Sequence, residues 1–245
     1  MVEILYEDNH LIAVRKPHGM LVQGDETGDP SLINEVRYFI KQRDNKPGNV
    51  FVGLLHRIDR PVGGVVLFGK TSKGAARLSE QFRTHSVEKI YWAVVEARTS
   101  SAYDLRRPES AHHSHPTSKL QSSGAVKQWI VKDEQSNRVT AHDREVPGSL
   151  YAETSYRVLA ERDGLVLVEV KPKTGRPHQI RVALASLGTP IVGDIKYGAR
   201  NAIQLANGST ALALFAQSLA FDQPVTKERV TVTAQPDLDV FTRML

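Results

Sequence analysis

The alternation of apolar and polar residues predicts a succession of short strands interrupted by three helices. Strands are expected where short apolar runs are bounded by turn residues, and helices where apolar residues recur every three or four positions. The expected strands span 4–6, 11–14, 50–55, 65–68, 88–96, 125–131, 151–159, 165–170, 212–221 and 229–233. The helices are expected to follow Ser31, Thr71 or Ser72, and Pro177, with Gly188 ending the last one.

Most neighbouring strands in this pattern are joined by hairpin-like turns, and strands outnumber helices. This favours an α+β fold with a mixed, mainly antiparallel central sheet flanked by helices, over a doubly wound fold. The length of 245 residues fits a single catalytic domain over 1–245, with two lobes around a basic cleft. The Ser-, Pro-, His- and Arg-rich segment 100–123 is expected to be a mobile insertion loop.

The composition excludes several classes of protein. The absence of cysteine excludes disulfides, thiol nucleophiles and cysteine-based metal sites. The acidic start, Met1 to Asp8, is not a signal peptide, and no apolar run reaches the ~18 residues of a membrane span. The cytoplasm is therefore the expected location, with no membrane association. The net charge of +5 favours a polyanionic partner only modestly.

The first candidate for chemistry is Asp59, which lies between Arg57 and Arg60 directly after an apolar run. A carboxylate held among cations stays ionised and can act as a nucleophile or a base. The two glycines that follow allow close backbone approach. A salt bridge that only braces a loop explains the same residues equally well.

Two further segments have unusual composition. Residues 171–181 place four cations and a glycine at the start of the third helix, which suits a phosphate or a buried carboxylate, although helix capping by solvated charges is an alternative. The strand 88–96 carries Tyr91 followed by Trp92. An aromatic residue near basic ones can stack on an unpaired base, but core packing is the commoner use.

Together these segments resemble the motifs of the RluA-type pseudouridine synthases. The resemblance covers residues 3 to 222 and includes His56 to Arg60 with Gly63-Gly64, and Lys89 to Ala93. The later motif comprises Gly175 to Arg181, Gly188 to Asp194 and Tyr197-Gly198, and the opening one runs from Ile12 to Met20. Two positions depart from the family pattern: Arg15 replaces the usual Asn, and Val62-Gly63-Gly64 replaces Thr-Ser-Gly.

The resemblance implies an enzyme that isomerises uridine in rRNA or tRNA to pseudouridine without cofactor or metal. Asp59 matches the essential aspartate, which attacks C1′ or removes a proton at C2′; the sequence leaves both routes open. Arg181 matches the arginine that pairs with this carboxylate. Tyr91 matches the tyrosine that stacks on the target base and assists proton removal at C5.

The uridine must leave its helix to reach Asp59, and Arg57 is the candidate to fill the vacated stack, with a plain phosphate contact as the alternative. The residues expected to contact RNA are His56, Arg57, Arg60, Lys70, Lys173, Arg176, His178 and Gln179. Further cations that flank the motifs are Lys73, Arg77, Lys196 and Arg200. No separate RNA-binding module is expected before Ile4, and a monomer is favoured.

Other functions fit the sequence less well. A metal site at His112, His113 and His115 is disfavoured by their Ser- and Pro-rich surroundings. A serine hydrolase lacks the Gly-x-Ser-x-Gly turn. Two rivals remain: an RNA-binding or folding factor on the same scaffold that lacks catalysis, and a glycosidase-like hydrolase in which Asp59 acts on a nucleoside.

Overall fold

The computed structural model describes residues 2–97 and 120–245, and eleven strands of these residues form one sheet. The strands are β1 (Glu3–Glu7), β2 (Leu11–Lys16), β3 (Gly53–Leu54), β4 (Gly63–Gly69), β5 (Glu88–Glu96), β6 (Ser123–Asp133), β7 (Arg138–His142), β8 (Leu150–Arg162), β9 (Leu165–Pro172), β12 (Leu214–Asp222) and β13 (Arg229–Thr233). A separate two-stranded hairpin consists of β10 (Ile203–Gln204) and β11 (Thr210–Ala211).

The order across the large sheet is β1-β2-β4-β12-β5-β9-β8-β6-β7, with β13 paired to β12 and β3 paired to β4. Every strand pair in the described residues is antiparallel except β4 with β12, which is parallel. The expected α+β class with a mixed, mainly antiparallel sheet is therefore confirmed. The two lobes and the basic cleft stay predictions.

The four helices of the described residues are α1 (Leu32–Arg43), α2 (Ser72–Arg83), α3 (Gln179–Ser186) and α4 (Asp239–Thr242). The first three follow the expected start signals. The Thr71 hydroxyl caps α2 by accepting from the backbone N–H of Gly74 at 3.1 Å. Ser31 stands at the N-cap of α1 but makes no capping bond, and its buried Oγ has no partner within the described residues.

Two local predictions are wrong. The apolar run 50–55 forms only the two-residue β3, because the side chain of His56 accepts the amide of Leu67 that a longer strand would pair with, and Phe51 is half-exposed. The strand β7 was not predicted because its sequence, Arg-Val-Thr-Ala-His, has no apolar run. Segment 100–119 lies outside the described residues, as do the three histidines 112, 113 and 115.

The core lies around β2 and β4, which are buried along nearly their whole length. Their apolar residues Leu11 to Val14 and Val65 to Phe68 are at most 1% exposed. The parallel pairing with β12 requires glycine at Gly64, because its φ is 125° and a Cβ there would lie 2.3 Å from the backbone oxygen of Ala216. None of the helices in the described residues is long and apolar enough to cross a membrane.

Candidate active site

Asp59 lies in a turn, Asp59 to Val62, that leads directly into the buried strand β4. Three successive backbone oxygens of this turn accept hydrogen bonds from backbone amides. The bonds are Val62 N to Asp59 O at 3.0 Å, Gly19 N to Arg60 O at 2.9 Å, and Leu212 N to Pro61 O at 2.9 Å. The donors come from the turn itself, the segment after β2 and the segment before β12, so the backbone that carries Asp59 is fixed from three sides.

The side chain of Lys16 also donates hydrogen bonds at this turn. It is fully buried, and its Nζ donates to the carbonyls of Pro17, Met20 and Arg60 at 3.0, 2.6 and 3.0 Å. Burial lowers the pKa of Lys16 from 10.5 to about 7; the charge of Asp59 opposes this shift, and that of Arg60 adds to it. The lysine thus ties the segment after β2 to the turn of Asp59.

Replacing Lys16 by Met should remove a pH dependence from the free energy of unfolding. Between a folded pKa of about 7 and an unfolded value near 10.5, the unfolded lysine binds more protons than the folded one. The free energy of unfolding should therefore rise with pH in this window, by up to ~1.4 kcal/mol per pH unit relative to the variant. Denaturant unfolding at about pH 7, 8 and 9 measures this, with Lys73→Met as the surface control; equal slopes in wild type and Lys16→Met would contradict it.

The carboxylate of Asp59 is joined to a buried ion-pair network. Arg181 Nη1 donates to Asp59 Oδ2 at 3.0 Å, while its Nε and Nη2 donate to the two oxygens of Asp194 at 2.7 and 2.9 Å. The Asp194 side chain is 1% exposed, whereas that of Asp59 is 31% exposed. Burial lowers the pKa of Arg181, but the two carboxylates outweigh it and the net shift is upward. Asp194 thus holds the guanidinium in place, and Asp59 stays open to a ligand.

His178 approaches the same oxygen of Asp59 from the start of α3. Its Nε2 lies 3.8 Å from Asp59 Oδ2, and its Nδ1 lies 2.7 Å from the hydroxyl of Tyr197. That hydroxyl accepts from the backbone N–H of Val139, and it can donate its own proton to Nδ1 when the ring proton of His178 is on Nε2. His178 has a left-handed backbone (φ 50°), a strained conformation that a surrounding structure must impose.

Two side chains of β5, Lys89 and Tyr91, lie on one face of the strand. Burial and then the negative charge of Asp59 raise the pKa of Tyr91, which indicates that the phenol lies near the carboxylate. Burial lowers the pKa of Lys89, whose Nζ donates to the carbonyl of Thr174 at 3.3 Å. The aromatic ring of Tyr91 and the carboxylate of Asp59 together provide a stacking surface and a nucleophile or base.

Three of the residues expected to contact RNA make hydrogen bonds within the protein. His56 Nε2 accepts from the amide of Leu67 at 3.0 Å and continues the pairing of β3, and burial, followed by the charge of Lys89, lowers the pKa of His56 to about 3. Lys70 is bonded to Glu7 and to the carbonyl of Asp8.

Gln179 is also buried, and its side-chain amide is saturated by four hydrogen bonds. The oxygen accepts from Thr174 Oγ1 and Arg176 N, and the nitrogen donates to Glu153 O and Thr154 Oγ1, at 2.7 to 3.0 Å. RNA contact by His56, Lys70 and Gln179 stays a prediction, and the structure shows that their polar atoms already have partners within the protein.

The remaining predicted cations lie at the surface. Arg57 is exposed, and Arg60 pairs with Asp29 at 2.7 Å while its Nε donates to Gly19 O. Lys173 is 65% exposed and pairs with Glu153, and Arg176 donates to the carbonyl of Tyr151. These surface ion pairs are weak and can be exchanged for contacts with a phosphate.

Sequence reasoning missed Asp194, Tyr197 and Lys16 as parts of the site. Asp194 and Tyr197 lie in the segment that resembles the later motif, which was the available signal, but nothing in that segment gives their contacts with Arg181 and His178. Lys16 lies in the opening motif, but its three acceptors are backbone carbonyls, which the sequence does not reveal. Among the described residues, no group of three or more His, Asp or Glu side chains could hold a metal ion.

Comparison with known proteins places the chain in one family. Residues 10–186 match the family described as RNA pseudouridylate synthase. A relative from Haemophilus ducreyi, named tRNA pseudouridine synthase C, is 33% identical over 241 residues, covering 96% of this chain and 91% of the relative. One from Zymomonas mobilis, named ribosomal large subunit pseudouridine synthase D, is 30% identical over 252 residues, covering all of this chain and 73% of the relative.

A solved structure gives the same answer for the fold. The human protein named RNA Pseudouridylate Synthase Domain Containing 4 superimposes with a TM-score of 0.71 at 25% identity, covering 95% of this chain and 88% of the human one. The range of the family match includes the turn of Asp59, β5 and all of α3.

Proposed function

Because the chain belongs to the RNA pseudouridylate synthase family, we propose that Asp59 is the carboxylate with which it isomerises uridine in RNA to pseudouridine. The observation that most directly supports this proposal is that Arg181 and His178 both approach Oδ2 of Asp59. Its Oδ1 has no hydrogen-bond partner in the part of the chain that the structure describes. This leaves Oδ1 as the reacting oxygen.

The reaction needs an ionised and oriented carboxylate, whether Asp59 attacks C1′ or removes the proton at C2′. The guanidinium of Arg181 supplies both requirements, because it stabilises the charge and fixes the rotamer of Asp59. Asp194 in turn fixes Arg181 through two hydrogen bonds. The uracil released from C1′ then rotates and rejoins the ribose through C5, with no redox step and no group transferred to another molecule.

Tyr91 is proposed to stack on the uracil and to assist removal of the C5 proton. Its ring lies on the strand next to the site, and the carboxylate charge reaches its hydroxyl. A uridine in a helix must flip out to enter, at a cost of a few kcal/mol. Arg57, exposed two residues before Asp59, is proposed to occupy the vacated position in the stack or to hold a flanking phosphate.

The substrate is proposed to be rRNA or tRNA, as in the names of the two relatives. Arg60, Lys173 and Arg176 are the proposed phosphate contacts, and the whole chain 1–245 is proposed to act as a single catalytic domain. The residues of the site and its supports lie between Lys16 and Leu214 and therefore span most of the chain.

Product analysis of labelled RNA tests the proposal against its two rivals. RNA carrying labelled uridine, transcribed without modification, is incubated with the protein, digested to nucleosides and separated. The isomerase forms labelled pseudouridine and no free uracil, whereas a hydrolase releases free uracil. Binding of RNA without either product, on both rRNA and tRNA preparations, would indicate an RNA-binding factor and would reject the proposed function.

Replacing Tyr91 by Phe should separate the two proposed roles of this residue. The ring that stacks on the base remains, so KM for RNA should stay within about twofold, whereas loss of the hydroxyl should lower kcat roughly 10²-fold. Single-turnover and steady-state rates measure this, and Trp92→Phe, at the next position of β5 and on its opposite face, is the matched control. An unchanged kcat would remove the hydroxyl from the reaction.

A further inference from the structure

Two of the departures from the usual family motifs are connected to one buried histidine, His18: Gly63 lies against its ring, and Arg15 reaches it through Asp237. The side chain of His18 is 2% exposed and lies in the segment that follows β2. Its two ring nitrogens each face an oxygen: Nε2 lies 3.3 Å from the carbonyl of Leu214, and Nδ1 lies 3.6 Å from the carboxylate of Asp237. The ring is therefore held in one orientation by partners from opposite directions.

The imidazole occupies the space where a side chain at position 63 would be. A Cβ added to Gly63 would lie 2.6 Å from Cε1 and 2.7 Å from Nδ1 of His18, closer than such atoms can approach. Gly63 has no left-handed backbone, so lack of room is the reason for glycine here. The residue before it, Val62, donates the hydrogen bond that closes the turn of Asp59.

Asp237 connects this histidine with the C-terminal segment of the chain. Its carboxylate lies 3.0 Å from Arg15 Nη2 as well as 3.6 Å from His18. Arg15 also pairs with Glu3 at 3.2 Å, so the cation that replaces the usual Asn fastens both β1 and the segment between β13 and α4. The partners of His18 and Asp237 thus bring four separate parts of the chain behind the catalytic turn.

We propose that His18, oriented by Asp237, is a positioning residue for Asp59. The imidazole fills the space behind Gly63 and prevents the turn Asp59 to Val62 from shifting away from Arg181. A shift of about 1 Å at a catalytic group is enough to lower a rate on the order of 10²-fold. The pairing of a histidine at 18 with glycine at 63 is the solution that this chain uses to support the turn.

The test compares kcat, KM and hydrogen exchange of the Val62 amide in wild type, His18→Ala, Asp237→Ala and Gly63→Ala, using an unmodified RNA that the wild type converts. His18→Ala should lower kcat about 10- to 100-fold with KM within about twofold, and should speed exchange at Val62. Asp237→Ala should do the same to a smaller extent. Asp239→Ala is the matched control, because its carboxylate has no ion pair within residues 2–97 and 120–245.

A double-variant cycle gives the strictest form of the test. Gly63→Ala should lower kcat in the presence of His18, because the new methyl meets the ring, and should have little further effect in His18→Ala. Additive effects in this cycle would overturn the proposal. So would a His18→Ala protein with lower stability but unchanged kcat and unchanged Val62 exchange, because the histidine would then support only the fold.

The test also covers a His18→Ala variant that does not fold and a wild type that has no activity. If His18→Ala does not fold, Asp237→Ala decides, and unchanged kcat and exchange in that variant overturn the proposal. The proposal rests on the proposed function for its kinetic part only. A wild type that forms no pseudouridine rejects the function, while exchange at Val62 in the variants still tests whether His18 holds the turn.

Discussion

Replacing Asp59 by Asn should lower the rate of pseudouridine formation on the order of 10⁴-fold or more and leave RNA affinity and folding nearly intact. The amide has the shape of the carboxylate but is a poor nucleophile and a poor base. Arg181 keeps its two bonds to Asp194, so no buried charge loses its partner. Because the Asp59 side chain is 31% exposed, the free energy of unfolding should change by less than about 1 kcal/mol.

The matched control is Asp29→Asn, which removes another carboxylate next to the catalytic turn. Asp29 pairs with Arg60 at the surface at 2.7 Å, so its removal should leave kcat within about twofold. Product formation, RNA binding by titration and thermal unfolding are measured on all three proteins. Loss of the unfolding transition in Asp59→Asn, or the same loss of activity in Asp29→Asn, would mean that charge or structure near the turn matters rather than Asp59 itself.

Replacing Arg181 by Met should lower stability and activity together. The Asp194 carboxylate, 1% exposed, would remain without its guanidinium, and an uncompensated buried charge costs about 3–5 kcal/mol. Asp59 would lose the donor that orients it, so kcat should also fall. Arg181→Lys should be only a partial substitute, because an ammonium cannot bind Asp194 with two parallel bonds and still reach Asp59.

The double variant Arg181→Met/Asp194→Leu separates the two losses. Exchanging a buried ion pair for apolar residues of similar volume is often neutral for stability, so most of the unfolding free energy should return. Activity should not return, because Asp59 still lacks its partner. Recovery of activity in the double variant would show that Arg181 serves only to neutralise Asp194.

Local patterns in the sequence predicted most of the strands and helices. The expected strand 88–96 matches β5 at both ends, and the Thr71 signal marks the start of α2, because alternation, helical spacing and capping are properties of neighbouring residues. The pattern failed at 50–55, where backbone pairing with β4 is limited to Gly53–Leu54 and the side chain of His56 accepts the next amide of β4. It also failed at β7, which is polar and gains its pairing only from β6.

The candidate site shows the same difference between residues that local motifs predict and residues that only the fold brings together. Asp59, Tyr91 and Arg181 could be proposed from motifs that occur in order along the chain. The supports could not, because the fold brings together Lys16 with Arg60 and His18 with Leu214 from distant parts of the sequence, and nothing in the sequence pairs Asp194 with Arg181. The hydrogen bonds of Lys70 and Gln179 within the protein were not predictable for the same reason, because a polar residue near a motif gives no sign of where its partners lie.

The position of β12 has a consequence for how the protein acquires activity during synthesis. This strand, close to the C-terminal end, lies between β4 and β5 and is the only link between them within the described sheet. Residues 212 and 214 contact the turn of Asp59 and the ring of His18, the latter across 196 positions of sequence. A chain still being synthesised therefore lacks the residues that hold the turn of Asp59 and the ring of His18 until positions 212 and 214 have been added.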